Sequence, residues 1–168
     1  LAEDGQKMSK KLKNYPDPIE IVNKYGADAL RYYFLSSPIM HGEDLSFSEK
    51  GVDEIYKKNI VRLNNVYAFY ELYRGDEEGS NMSDNILDRW IIARLGQLIG
   101  EVSSAMDIYN LDRAVRPIGD FIDDLSTWYL RRSRERFKSD DKKDKLNALQ
   151  TTKYVFTELS KVLAPFMP

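Results

Sequence analysis

Apolar side chains recur every three or four residues along most of the chain, and the pattern is clearest after residue 110. From there the apolar positions are Ile118, Phe121, Ile122, Leu125, Trp128 and Tyr129. At about 100° per residue these positions share one face of a helix, which must pack against other helices. Arg132 and Arg136 continue the same stripe, so we expect this helix end to face carboxylates or phosphates.

Further cations surround that helix end. Arg131, Arg134 and Lys138 fall on the opposite side of the same turns, so the end is positive nearly all round. Two interpretations stay open. The cations can belong to a solvated terminus, where they complement the negative end of the helix dipole. Alternatively, they can form a surface that faces nucleic acid.

Similar seams predict three more long helices. The apolar faces are Val52, Tyr56, Asn59, Leu63, Val66, Tyr70 and Tyr73; then Leu87, Ile91, Leu95, Leu98, Val102 and Ala105; and finally Leu149, Thr152, Phe156, Leu159 and Leu163. Four amphipathic helices with short links, and no alternating run long enough for a sheet, predict an all-α, up-and-down bundle. Residues 75–81 are a linker by composition.

A smaller helical element precedes the bundle. Asp17 followed by Pro18 is a cap before a first-turn proline and predicts a short helix that ends near Tyr25. A second short helix is predicted from Ala27 to Leu35. The segment from residue 41 to 47 is a connector, in which His41 is interpreted as a loop residue rather than a ligand.

Composition limits the chemistry available to the chain. The 168 residues are 42% hydrophobic with a net charge of −2, so a polyanion would have to bind a local patch. The absence of cysteine and the single histidine argue against disulfides, a metal site and a serine–histidine triad. No membrane-length apolar run or signal-like start occurs, which predicts a cytoplasmic protein without a membrane partner. The start at Leu1 suggests a piece of a longer chain.

Two polar groupings are candidates for function. Lys7, Met8, Ser9, Lys10 and Lys11 form a basic loop, whose flexible ammonium groups could follow charge on a transferring phosphate; the alternative is an ordinary solvated loop. Asn64 and Asn65 lie together inside a predicted long helix, although asparagine is a poor helix former. Their amides could bond a neighbouring backbone or a bound base, and the sequence favours neither.

Six short motifs occur in one order over the whole chain. They are Asp-Gly-x-Lys-Met-Ser-Lys at 4–10, Gly-Ala-Asp-Ala-Leu-Arg at 26–31, Gly-Glu-Asp-Leu-Ser-Phe-Ser at 42–48, Leu-Asp-Arg-Trp at 87–90, Trp-Tyr-Leu-Arg-Arg-Ser-Arg at 128–134 and Ala-Pro-Phe at 164–166. Together they resemble class I aminoacyl-tRNA synthetases. The motif at 128–134 favours the isoleucyl family over its valyl, leucyl and methionyl relatives.

The resemblance implies three parts and a role for the basic loop. Residues 1–14 would be the remnant of a catalytic signature loop, 15–47 a stem-contact region and 48–168 an anticodon-binding helical bundle. Lys7, Met8, Ser9 and Lys10 would be the catalytic signature, with Lys10 at the ATP phosphates. Lys11 departs from the serine that usually ends the signature. We expect few partners for this loop and therefore disorder or a conformation that depends on crystal packing.

For the bundle, the resemblance implies binding of a tRNA anticodon stem-loop. The candidate tRNA-binding residues are Asn65, Trp128, Arg131, Arg132, Arg134 and Arg136, with Trp128 at least partly buried. The full-length enzyme would be a monomer that ligates isoleucine to tRNA with ATP, using catalytic and editing domains to which nothing here corresponds. The chain alone would be inactive. The competing hypothesis is a helical protein-interaction module, in which Arg132 and Arg136 pair with acidic residues of a partner or of the bundle itself.

Overall fold

The computed structural model describes residues 1–3, 5–75 and 83–168, and within these ranges it contains helices, turns and loops but no strand. The all-α class predicted from the periodicity is therefore confirmed. The predicted linker at 75–81 lies, apart from Gly75, outside the described residues.

Two short helices form the element before the bundle. Helix α1 spans Pro18–Tyr25, and the Asp17 carboxylate caps it by accepting a 2.8 Å hydrogen bond from the Ile19 N–H. It ends at Gly26, whose φ of +83° is a conformation that side-chain-bearing residues rarely adopt. Helix α2 spans Ala27–Leu35, and a 3₁₀ turn follows at Pro38–His41. Both predicted helices are present at the predicted positions.

Four long helices follow. Helix α3 covers residues 49–73 and consists of Glu49–Ile55, a π-helical segment Tyr56–Val61 and Arg62–Tyr73. Helix α5 covers residues 111–138 and consists of Leu111–Asp123, a π-helical segment Asp124–Leu130 and Arg131–Lys138. The other two long helices are regular: α4 is Ile86–Asp107 and α6 is Lys142–Leu163. Successive long helices alternate in direction, so the bundle runs up and down as predicted.

Helix α5 is the centre of the bundle and contacts the other three long helices. Arg62 of α3 pairs with Asp123, and further along the same direction Phe69 packs on Phe137 with ring centroids 5.2 Å apart. Arg94 of α4 pairs with Asp124 at 2.9 Å. Helix α5 therefore has α3 on one side and α4 on the other.

The apolar seams meet in one main core and a smaller second core. The main core includes Phe121, Leu125 and Tyr129 of α5, all fully buried, with residues of the other long helices. The second core joins α1 and α2 to the start of α3 through Ile21, Ala29, Phe47 and Val52. Each fully buried aliphatic or aromatic side chain contributes about 1.5–3 kcal/mol to stability.

The π-helical segment in α5 changes which residues are buried after it. The sequence placed Arg132 and Arg136 on the continuing stripe, but the buried positions are Ser133 and Phe137, each one residue later. A π turn holds more residues than an α turn, so a stripe counted at 3.6 residues per turn comes out one position early. Arg132 therefore lies on the exposed side, which corrects the predicted register.

Candidate nucleic-acid interface

The exposed side of α5, from the end of its π-helical segment onward, carries Trp128, Arg131, Arg132 and Arg134, which we call the arginine face. All four side chains are exposed, Trp128 by 46%. The three arginines have no carboxylate partner among the described residues. The face therefore offers guanidinium groups that no carboxylate of the described residues neutralises.

Trp128 and Arg132 form a stacked pair on the α4 side of this face. The Arg132 Cζ lies 3.7 Å from the centroid of the Trp128 ring, one helical turn away. Trp128 also packs on Trp90 of α4, with ring centroids 6.3 Å apart. A cation over a tryptophan face gains roughly 0.5–1 kcal/mol at exposed sites. The expectation that Trp128 is partly buried agrees with its half-exposed side chain.

Arg134 and Asn65 lie on the α3 side. The Arg134 Cζ is 5.9 Å from the centroid of the Phe69 ring, and Asn65 is one helical turn before Phe69. The Asn65 side chain is exposed, and its amide makes no hydrogen bond with another described residue. The structure therefore brings Asn65 to the side of the bundle on which Arg134 lies.

Arg136 is placed differently from the other predicted arginines. Its side chain is 11% exposed, and its two terminal nitrogens each donate a 2.7 Å hydrogen bond to a carboxylate oxygen of Asp88. Its Nε and Nη2 also donate to Asp144, at 3.0 and 2.8 Å. The assignment of Arg136 to an RNA-facing surface is thus corrected, because its donors are directed to carboxylates of the bundle itself.

Asp88 is the centre of a buried cluster with Arg136 and Asp144, a role that the sequence did not predict. It is fully buried, and it accepts hydrogen bonds from Ser83 at 2.6 Å and Tyr129 at 2.8 Å as well as from Arg136. Burial raises the pKa of the Asp88 carboxyl, but the hydrogen bonds from Arg136, Ser83 and Tyr129 outweigh it, so the pKa lies below its usual value. An acidic residue in the first turn of a helix is common, so the sequence held no sign of this role.

The basic loop has a defined set of contacts. The Asn14 side chain accepts a 2.9 Å hydrogen bond from the Ser9 N–H and donates one of 3.1 Å to the Lys7 carbonyl. Met8 packs on the second core, while Lys7 and Lys10 are exposed. The loop therefore has more partners than the sequence led us to expect. It lies beside the start of α3, whereas the arginine face lies beside its end, so the two candidate sites are apart.

His41 ends the 3₁₀ turn and contacts the bundle. Its Nε2 lies 2.8 Å from an Asp112 oxygen, and Arg116 pairs with the other oxygen at 2.9 Å. Among the described residues no cluster of three or more His, Cys, Asp or Glu side chains is arranged to hold a metal ion. No helix in the same residues is long and apolar enough to cross a membrane.

Two family models match separate parts of the chain. Residues 1–48 match the class I tRNA synthetases for I, L, M and V, and residues 88–168 match the anticodon-binding domain of tRNA ligase. Curated isoleucine–tRNA ligases match all of the chain, with 48% identity for Chlamydia trachomatis serovar D, 46% for Chlamydia caviae and 44% for Protochlamydia amoebophila. The chain spans 17% of the length of each of these relatives.

A solved structure has the same fold. It is the crystal structure of a ternary complex of Agrobacterium radiobacter K84 LeuRS, tRNA and LeuAMS. The match has a TM-score of 0.65 and 22% identity, and it covers 100% of this chain and 20% of that one. At this identity the likeness establishes the arrangement of the helices.

Proposed function

The chain belongs to the isoleucyl-tRNA synthetase family of class I tRNA synthetases, and from that premise we propose that its bundle binds a tRNA anticodon stem-loop through the arginine face. The observation that carries the proposal is the exposed Trp128–Arg132 stack, flanked by Arg131 and Arg134 without carboxylate partners in the described chain.

The groups on this face suit the chemistry of RNA. Guanidinium groups form paired hydrogen bonds to phosphate oxygens, and unpaired bases stack on aromatic rings and on guanidinium planes. Arg131 and Arg134 would bind phosphates, and Trp128 with Arg132 would receive a base. The Asn65 amide would donate a hydrogen bond to a base edge or accept one from it. Arg136 would position the face by holding the end of α5 against α4 and α6.

For the whole protein we propose ligation of isoleucine to its tRNA, the reaction that the names of the relatives describe, with ATP as the co-substrate that the resemblance implies. In that reaction Lys10 would contact ATP phosphates, and Lys7, Met8 and Ser9 would shape the loop around it. The 168 residues alone, which span 17% of the relatives' length, are predicted not to catalyse it. The boundaries at residues 14 and 47, a cytoplasmic location and a monomeric state stay predictions.

The test is a titration of isoleucine tRNA transcript and of its isolated anticodon stem-loop, followed by fluorescence anisotropy. The combined variant Arg131→Gln, Arg132→Gln and Arg134→Gln should bind at least about tenfold more weakly. Its affinity should also depend less on salt, because fewer counterions are released.

The matched control removes three cations elsewhere on the bundle, through Lys57→Gln, Arg113→Gln and Lys161→Gln. It should bind within about twofold of the unchanged chain, and its salt dependence should be preserved. Equal binding by the two triple variants would refute the arginine face as the tRNA site. It would leave the protein-interaction module as the better hypothesis.

A further inference from the structure

A second cationic surface is a groove beside the last turns of α3. It is a cavity of about 910 Å³ between the end of α3 and the start of α6. Its lining includes Tyr70, Tyr73, Arg74, Lys142, Lys145 and Lys153, and we call it the lysine groove. Nothing in the motifs or in the arginine face accounts for it.

Among the residues that the structure describes, the lining of the lysine groove carries more positive than negative charge. Lys142, Lys145 and Lys153 have no carboxylate within ion-pair distance among the described residues, while Arg74 pairs with Glu71 at 2.8 Å. Asp140 is the one carboxylate among the described lining residues. The three lysines lie within twelve residues of α6, over about 16 Å of helix. Several anionic groups in a row could therefore be neutralised along this wall.

The position of these lysines is unfavourable for the helix that carries them. Lys142 and Lys145 lie in the first turns of α6, where the helix dipole disfavours positive charge. Asp141 already caps the helix by accepting hydrogen bonds from the Lys143 and Asp144 N–H groups, at 3.0 and 3.2 Å. Helix stability alone thus gives no reason for lysines here, whereas an anionic ligand would.

The floor of the groove is aromatic. Tyr70 is nearly buried, and Tyr73 is half-buried with its ring 5.0 Å from that of Phe69. Phe69 is the ring over which Arg134 lies. The lysine groove and the arginine face therefore adjoin the same last turns of α3.

We propose that the lysine groove binds an unpaired RNA strand, with the lysines at successive phosphates and a base against Tyr73. Lysines along a channel with an aromatic floor are the features by which proteins hold single-stranded RNA. The identity of the ligand as RNA rests on the proposed function of the arginine face. The groove adds a second contact that takes the unpaired part of the same molecule.

The experiment compares two RNAs on the chain carrying Lys142→Gln, Lys145→Gln and Lys153→Gln. One is a labelled eight-nucleotide single strand, and the other is a hairpin that is paired except for a four-nucleotide loop. The single strand should bind about tenfold more weakly, and the slope of log affinity against log salt should fall by about 2, at roughly 0.7 per phosphate contact on a single strand. Binding of the hairpin should change by less than about threefold.

A charge-matched control replaces Lys57, Lys58 and Lys161, each of which pairs with a carboxylate near it on its own helix, by glutamine. It should bind the single strand within about twofold of the unchanged chain. As a second readout, bound single strand should protect Lys145 and Lys153, but not Lys57, from acetylation.

Three results would overturn the inference. They are equal single-strand binding by the two lysine variants, unprotected Lys145 and Lys153, and competition by an acidic peptide at lower concentration than the RNA. If the arginine face does not bind the anticodon stem-loop, the variant with glutamine at Arg131, Arg132 and Arg134 should bind the hairpin normally. The two outcomes are therefore distinguishable.

Discussion

Arg136 and Asp88 form a bidentate ion pair with two hydrogen bonds of 2.7 Å, and their side chains are 11% and 0% exposed. The pair joins the last turns of α5 to the first turn of α4, and Asp144 adds the first turn of α6. Three helix ends are thus held together beneath the arginine face. We infer that this cluster determines where the exposed arginines point.

Arg136→Gln should destabilise the protein by about 3–5 kcal/mol, because it leaves the buried Asp88 carboxylate without its charged partner. Arg132→Gln removes an exposed cation from the face of the Trp128 ring, so it should lower the free energy of unfolding by less than about 1 kcal/mol. Urea unfolding measured by circular dichroism compares the two. If both variants lose the same small amount, the buried pair does not hold the bundle.

Asp88 should also make stability depend on acid pH. Its pKa in the folded protein is lowered from 3.8, so its contribution is complete above that pH and is lost as the pH falls through the folded value. Asp112 has a lowered pKa as well and acts in the same direction. The difference in the free energy of unfolding between the unchanged chain and Asp88→Asn should therefore shrink between pH 5 and pH 2.5. A difference that is constant over this range would contradict the prediction.

Ser133→Ala should stabilise the protein. Ser133 is fully buried, and its hydroxyl has no hydrogen-bond partner in the part of the chain that the structure describes. Removing the hydroxyl should gain about 1 kcal/mol, or about 2–4 °C in Tm for a chain of this size. Thr152→Val is the opposite case, since the buried Thr152 hydroxyl donates to the Ala148 carbonyl at 2.8 Å, and it should lower Tm. Equal shifts of Tm in the two variants, measured by calorimetry, would contradict the prediction.

Asn14→Ala should loosen the basic loop. It removes the hydrogen bonds to Ser9 and Lys7, each worth about 0.5–1.5 kcal/mol, so the loop should open roughly tenfold more often. Trypsin cleavage after Lys7 and Lys10 and amide exchange of Ser9 measure this opening. Asn64→Ala, on the exposed side of α3, is the control and should change neither. An unaltered cleavage rate in Asn14→Ala would mean that the loop is already disordered, as the sequence led us to expect.

The helices could be predicted because their causes are local. The cap at Asp17, the proline after it and the spacing of residues such as Phe121 and Leu125 lie within a few turns of each other. The Arg31–Asp28 ion pair, three residues apart on α2, is of the same kind and is present at 3.4 Å. The arginine face was predicted in part, since the density of cations on one helix end is visible in the sequence.

The parts that could not be predicted depend on separation in sequence. Asp88 and Arg136 are 48 residues apart, and no spacing rule distinguishes this aspartate from the many that begin helices. The π-helical segment at Asp124–Leu130 changed the register of every position after it. Reading at a constant 3.6 residues per turn therefore gave Arg132 and Arg136 the same role.

The sequence by itself determined the helical periodicity, the short helices before the bundle, the cationic end of α5 and the family. These properties depend on neighbouring residues and on the order of motifs. Tertiary structure alone decided which of these arginines have no carboxylate partner in the described part of the chain, since a guanidinium is available to a ligand only where no carboxylate from another helix reaches it. It placed Arg136 among Asp88 and Asp144, left Arg131, Arg132 and Arg134 exposed, and formed the lysine groove from two helices far apart in the chain.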